Sequence, residues 1–414
     1  MTELGVHVDI AGRTRPAGLA YVTVGRSRVS TTFSYDAAYL ADQAGYDLEP
    51  GLPRHAGQQY TDGLPGCFTD CAPDRWGRNL IDKRHRAIQR SAAQRLPALT
   101  DIDYLIGVSD VTRQGNLRFT QADSPFLDPD DGVPPLVALP RLLASADTVS
   151  DLGDVDDLVA VKALLDAGSG SLGGARPKAS VRDENGRLLI AKFPHRDDEW
   201  DVMAWEKTLL DLARSAGMRV PPNRLTKVGR RNVLLVDRFD RGPDGERLGY
   251  ISAMTMIGAR DGDERDYDDI VQFLPESGGA VKADLIELFT RVVFSVAVRN
   301  TDDHLRNHGF IRERKGWVLS PLFDVNPHPD LSRRRVTSVL GASGADEEVE
   351  VLLDFAAQCR LGRTQALEII GRVAASVGRW RTAAASNGIA LSALTLFATS
   401  FDTQLAALTR LATV

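Results

Sequence analysis

Residues 299–310 read RNTDDHLRNHGF and directly follow an apolar run, 285–298, with the spacing of a buried helix. A helix that feeds a loop carrying two carboxylates, two histidines and two amides constrains the fold strongly. Such a loop is costly to hold together unless it coordinates a cation or a substrate. Asp302 and Asn307 stand five apart, the D-x-x-x-x-N spacing in which a carboxylate accepts a hydroxyl proton and an amide oxygen binds magnesium. Downstream, residues 316–319 read as a strand, and SPLFDVNPHP then places Asp324 at its end, where a Pro-rich turn begins. Asn307 with Asp324 is a minimal oxygen set for magnesium, which takes one or two carboxylates together with phosphate oxygens and waters. The competing reading is a plain solvated loop. Asp303 is ambiguous, fit for an ion pair or a cap, and carries no catalytic role here.

Upstream, residues 168–180, GSGSLGGARPKAS, form a glycine-rich stretch whose backbone N–H groups can approach phosphates. It lacks the Gly-Lys-Ser/Thr of a P-loop, and a flexible linker is the alternative. Lys192 follows in AKFP, inside an apolar strand, where an ammonium is unusual unless it meets a fixed anion. Glu206, on the next expected helix, is a candidate partner for that lysine or an ordinary helical glutamate. The segment 233–241, VLLVDRFDR, is a strand ending in polar residues; alone it is indistinguishable from a buried strand and turn.

The rest of the chain organises around these motifs. Residues 5–10, 19–24 and 28–35 read as short strands, and Asp74 is positioned to cap a helix carrying Trp76, Leu80 and Ile81. Residues 121–140 are rich in Asp and Pro and read as a surface connection. Residues 200–216 read as an amphipathic helix ended by Gly217, and 363–386 and 391–411 as Ala- and Leu-rich helices. The division expected is 1–125, a β-rich subdomain; 126–150, a connecting segment; 151–245, a mixed lobe with the glycine-rich loop and Lys192; and 246–414, a helical lobe.

Composition narrows the function classes. A net charge of −6 gives no global attraction to nucleic acid. Three cysteines, Cys67, Cys71 and Cys359, fit a reducing compartment and packing roles, so cytoplasm is the expected location. The first ten residues include Glu3 and Asp9 and show no secretory signal, and no apolar stretch approaches the ~18–20 residues of a membrane span, so no membrane association is expected.

Taken in order, SLGGARPKAS, AKFP, VDRFDR, NTDDHLRN and LFDVNP resemble the HipA-like serine/threonine kinases, and GLPGCFTDCAPDRWGR at 63–78 resembles their small N-terminal domain. The resemblance implies an α+β, bilobal, protein-kinase-like fold with an N-terminal β-rich subdomain and an all-helical C-terminal lobe. It implies ATP and Mg2+ as cofactors, Asp302 as the catalytic aspartate, and Asn307 and Asp324 as magnesium ligands. Lys192 would contact ATP, with Gly173, Gly174, Ala175 and Lys178 in the loop around it. Asp237 and Phe239 would form the hinge, and His304 would touch phosphate or brace the loop. Ser171 matches a serine that is autophosphorylated in the family, which moves the loop and inactivates the kinase. Arg176 and Pro177 depart from the glutamine and glutamate of some members. The implied partners are a protein substrate, aminoacyl-tRNA synthetases being known ones, and a small helix-turn-helix antitoxin through which DNA is reached indirectly. Two other readings remain open: a small-molecule phosphotransferase, and a non-catalytic corepressor module.

Overall fold

The computed structural model describes all residues except 26–27, 93–95, 122–125, 128–131, 152–157, 172–173 and 414. It divides into two compact units: Met1–Asp197 with Thr226–Ile251, and Asp198–Leu225 with Ser252–Val414.

The first unit opens on strands of alternating pattern. Val29–Tyr35 buries Thr31, Phe33 and Tyr35 on one face, and Thr2–Ile10 buries Leu4, Val6 and Val8, as a half-buried sheet requires. These strands pair antiparallel in the order Gln58–Asp62, Val29–Tyr35, Arg13–Val24, Thr2–Ile10, Leu117–Thr120. The helix Arg75–Ala92 begins where the Asp74 carboxylate accepts the N–H of Trp76 at 3.1 Å, the expected cap. Its Trp76 and Leu80 enter a second core, shared with the helices Leu139–Asp151 and Leu158–Asp166 and with Ala179, Val181, Leu189, Ala191 and Val233. Those last residues belong to antiparallel strands in which Leu188–Lys192 lies between Lys178–Arg182 and Arg231–Asp237. Part of the stretch expected as a connection is therefore a helix: in PRLLASADTV, Leu142, Leu143, Ala146 and Val149 fall on one buried face.

The second unit is helical in its mass. Val281–Ala297 is the expected buried helix, and Val202–Ser215 ends at Gly217, whose φ of 91° is a conformation glycine adopts freely. The stretch expected as one helix over 363–386 is two, Arg363–Val377 and Trp380–Ser386. The break falls at Gly378, which has no side chain to pack. With Leu391–Ala412 these helices enclose an aromatic core: Trp205 lies 4.3 Å from Phe397 and Trp380 lies 4.8 Å from Phe401, centroid to centroid. The lobe is not helical throughout, for the strands Gly309–Glu313 and Gly316–Leu319 form a hairpin directly after the polar loop. Two short apolar runs, GFI and GWVL, joined through a two-residue turn at Arg314 and Lys315, form it. Among the described residues no helix is long and apolar enough to cross a membrane.

Candidate active site

In the second unit, the helix Val281–Ala297 delivers the chain into the loop through Arg299, which is fully buried at a φ of 54°. Beyond it, consecutive side chains point opposite ways. Asp302 is exposed, whereas Asp303 is buried. The Asn307 amide nitrogen donates to the Asp302 backbone carbonyl at 3.2 Å, which leaves the amide oxygen as the atom to offer a cation.

Asp324 is brought to this loop by the backbone. The Asn326 N–H donates to the Asn300 side-chain oxygen at 3.1 Å, and the His328 N–H donates to the Arg299 carbonyl at 3.0 Å. Asp324 itself has a φ of 55°, in the left-handed region that Asp tolerates at a cost, and such strain concentrates where a side chain must be aimed. The donor set, one amide oxygen and one carboxylate, suits magnesium, which draws its other ligands from phosphate and water. Among the described residues no group of three His, Cys, Asp or Glu side chains is placed to hold a metal.

His304 is half-buried, and among the described residues its solvent-shielded Nδ1 has no hydrogen-bond partner. Glu206 is buried on Val202–Ser215.

Asp303 is the residue that sequence reasoning left without a role. Its carboxylate accepts from Tyr267 Oη at 2.6 Å and Ser295 Oγ at 3.0 Å, and lies 3.0 Å from His308 Nε2. Burial alone would raise its pKa, but the His308 ring, the Tyr267 hydroxyl and Arg335 outweigh it and hold the carboxyl well below the usual range. The network continues inward: Arg335 donates to Tyr267 Oη at 2.9 Å, and Glu348, fully buried, pairs with Arg335 at 3.1 Å and Arg299 at 2.9 Å. Arg299 also donates to the Arg333 carbonyl at 2.5 Å.

In the first unit, register sets Lys178 directly opposite Lys192, so both side chains leave the same face of the sheet. Like charges so placed repel unless anions compensate. Asp74, 3.6 Å from the Lys178 ammonium, supplies one negative charge. Pro177 opens the strand, where a missing N–H is harmless, and its carbonyl accepts from Phe193 at 2.9 Å. Gly174 has a φ of 102°, Ala175 is exposed, and Gly173 lies outside the described residues.

Ser171 is 3% exposed at the end of the short turn Ser169–Ser171, and its hydroxyl meets that of Thr112. Gly168, at a φ of 65°, lies so close to Thr112 that a Cβ would stand 2.5 Å from its side chain.

Asp237 ends its strand 3.8 Å from Arg187, and the Phe239 ring lies 6.1 Å from that of Tyr250. The residue that organises this segment is Asp240. Buried, it accepts from Gly115 N–H at 2.8 Å, from Arg238 at 2.6 Å and from Arg241 at 2.8 Å. Burial favours its neutral form, but the two arginines prevail and depress its pKa. The D-R-x-D-R pattern was the available signal for it.

Residues 170–380 match the HipA-like C-terminal domain, and residues 16–101 match the HipA N-terminal domain. Putative kinase Y4mE of Sinorhizobium fredii is 24% identical over 335 residues, covering 72% of this chain and 73% of that protein. A putative kinase of Haemophilus influenzae is 25% identical over 189 residues, 39% of this chain and 54% of that one. Among solved structures, a chain of the Shewanella oneidensis MR-1 toxin–antitoxin complex of HipA, HipB and its operator DNA is similar at a TM-score of 0.70 and 16% identity. That likeness covers 98% of this chain and 97% of that one, and it carries the α+β, protein-kinase-like fold. With a family domain matched across half its length and a second ahead of it, the chain belongs to the HipA-like family.

Proposed function

We propose that the chain is an ATP- and magnesium-dependent serine/threonine protein kinase, the toxin of a toxin–antitoxin pair. The observation that carries the reading is the pinning of the Asp324 turn to the loop that holds Asp302 and Asn307. A solvated surface loop has no reason to keep a turn that carries a strained aspartate hydrogen-bonded, through Asn326 and His328, beside a D-x-x-x-x-N segment. The kinase names of its relatives agree with it.

In this reading the exposed Asp302 orients the acceptor hydroxyl and takes its proton as transfer proceeds. Asn307 and Asp324 present oxygens to magnesium, which when bound neutralises charge on the transferred phosphate. Lys178 and Lys192 hold nucleotide phosphates, with backbone groups of Gly173, Gly174 and Ala175 near them. Asp237 and Phe239 flank the adenine as the hinge. His304 contacts phosphate or braces the loop; among the described residues its shielded Nδ1 has no hydrogen-bond partner. Ser171 is autophosphorylated, and because its hydroxyl is buried against Thr112, the turn at 169–171 must leave its seat first. A new dianion there is incompatible with the same loop cradling ATP. The Shewanella relative forms a complex with HipB and operator DNA, which supports a small antitoxin as partner here, with DNA reached through it. An aminoacyl-tRNA synthetase is the substrate class to try first.

The test is incubation of the purified chain with labelled ATP and magnesium, beside an Asp302→Ala control, with phosphate mapped by mass spectrometry. Phosphate on Ser171 and on a protein of a cell extract, lost in the control by orders of magnitude, is expected. Absence of transfer to itself and to every extract protein would refute the kinase reading.

A further inference from the structure

Asp303 and His308 repeat, one residue further on, the five-residue offset of Asp302 and Asn307. Asp302 is exposed and Asn307 buried, whereas both members of the second pair are buried, Asp303 at 6% and His308 at 1% exposure, and the two meet at 3.0 Å. This bond ties the two ends of the loop together one residue on from Asp302 and Asn307, and so constrains the distance between those two. Within the loop the Asn307 amide also donates to the Asp302 carbonyl at 3.2 Å, the His304 N–H donates to the same carbonyl at 3.0 Å, and the Asn307 N–H donates to the His304 carbonyl at 2.8 Å.

The inner clamp is itself anchored. Tyr267 Oη donates to Asp303 at 2.6 Å and accepts from Arg335 at 2.9 Å, and Arg335 is held by Glu348. Tyr267 comes from the helix Tyr267–Ser277 and Ser295 from Val281–Ala297, so two rigid elements and a buried ion pair converge on one carboxylate. Among the described residues, no other buried carboxylate of this unit is held by a tyrosine, a serine and a histidine together. A carboxylate so satisfied is a poor proton acceptor and has no route to a substrate, so its use is mechanical.

Resting on the kinase reading, we propose that Asp303, His308 and Tyr267 are positioning residues that set the spacing of the Asp302 carboxylate and the Asn307 amide. Loosening them displaces the transfer groups by fractions of an ångström, which reduces turnover without weakening nucleotide binding.

The experiment compares Tyr267→Phe and Asp303→Asn with the unaltered full-length chain. Tyr267→Phe removes one oxygen and keeps the ring, so it folds even where Asp303→Asn does not. Ser376→Ala serves as control, because it deletes a buried hydroxyl bond to the Leu212 carbonyl, 2.7 Å long, elsewhere in the same unit. Two readouts are taken: kcat and KM for ATP in phosphoryl transfer, and amide hydrogen exchange of residues 302–308. The expected result for Tyr267→Phe is a kcat lower by roughly tenfold or more, with KM for ATP within about twofold and faster exchange confined to the loop. Ser376→Ala should leave both readouts unchanged even where it lowers the unfolding midpoint. An unchanged kcat and exchange in Tyr267→Phe, or a raised KM at constant kcat, would overturn the proposal. Were the unaltered chain to transfer no phosphate, the kinase reading would fall, while the exchange readout would still decide whether the clamp holds the loop.

Discussion

Glu348→Gln offers the sharpest test of how this fold holds its polar loop. Glu348 is fully buried, and its carboxylate reaches Arg299 Nη1 at 2.9 Å and Arg335 Nε at 3.1 Å, both guanidinium groups being buried as well. At such separations and an effective dielectric of ~20, each attraction is worth roughly 5–6 kcal/mol before desolvation is subtracted. The substitution keeps the volume but removes the negative charge, leaving two buried cations that share one neutral amide. Removing one member of a buried ion network costs about 3–5 kcal/mol, because the remaining charges stay desolvated. With a urea m-value of about 2–3 kcal/mol/M, the midpoint should fall by roughly 1–2 M. Tryptophan fluorescence reports it well, since Trp200, Trp205, Trp317 and Trp380 all lie in this unit. A midpoint shift under about 0.3 M at unchanged m would refute the argument that the triad is held by charge rather than by packing.

Three further outcomes are expected. Gly168→Ala places a Cβ against Thr112 at a φ of 65°; it should cost about 1–3 kcal/mol and weaken ATP binding, which calorimetry on the folded variant would detect or deny. Burial lifts the Glu49 carboxyl to about 6, against the Cys67 N–H that it accepts. Its folded pKa therefore exceeds the unfolded one, so the contribution is complete below ~4.5 and lost as pH rises through about 6, roughly 2 kcal/mol in all. Hydrogen exchange on the strand Val29–Tyr35 at pH 5 and 7 should show this loss, and Glu49→Gln should abolish it; an equal slope in both would sink the assignment. Burial also pushes the thiols of Cys71 and Cys359 up to about 12 and that of Cys67 well above its ordinary value. A disulfide reagent at pH 8 should label none of the three until the chain is unfolded, and rapid labelling of the native chain would contradict their burial.

What was legible in the sequence was local. The helix before the loop, the strand after it and the D-x-x-x-x-N spacing are contiguous patterns, and periodicity reports them directly. Asp303 was opaque because its partners Tyr267 and Arg335 lie 36 and 32 residues away in sequence, and a loop side chain's direction depends on the turn it sits in. At Asp240 the D-R-x-D-R pattern was a local signal, but its bond to Gly115 spans 125 residues and no local pattern encodes it. The helix Leu139–Asp151 was hidden by the Asp- and Pro-rich text ahead of it, which broke the periodicity just before it resumed. Ser171 was singled out by its place in a motif, but its burial against Thr112 depends on a contact across 59 residues that no local pattern encodes.

The contacts around the glycine-rich turn also say what the N-terminal β-rich part is for. Asp74 caps the helix Arg75–Ala92 and reaches Lys178, Thr112 meets Ser171, and a Cβ on Gly77 would stand 2.9 Å from the Gly170 Cα. Trp76 and Leu80 fill the core beneath the very strands that carry Lys178 and Lys192. The turn is therefore seated on residues 73–77 and 112 as much as on its own sheet. Glycine at 77 lets the helix backbone approach that of Gly170, and glycine at 168 lets the turn approach the Thr112 side chain. In the proposed autophosphorylation the turn leaves its seat, which it must do without unfolding its lobe. A surface of small residues and a single hydroxyl contact meets that need better than an apolar pocket, since little apolar area is exposed when the turn departs.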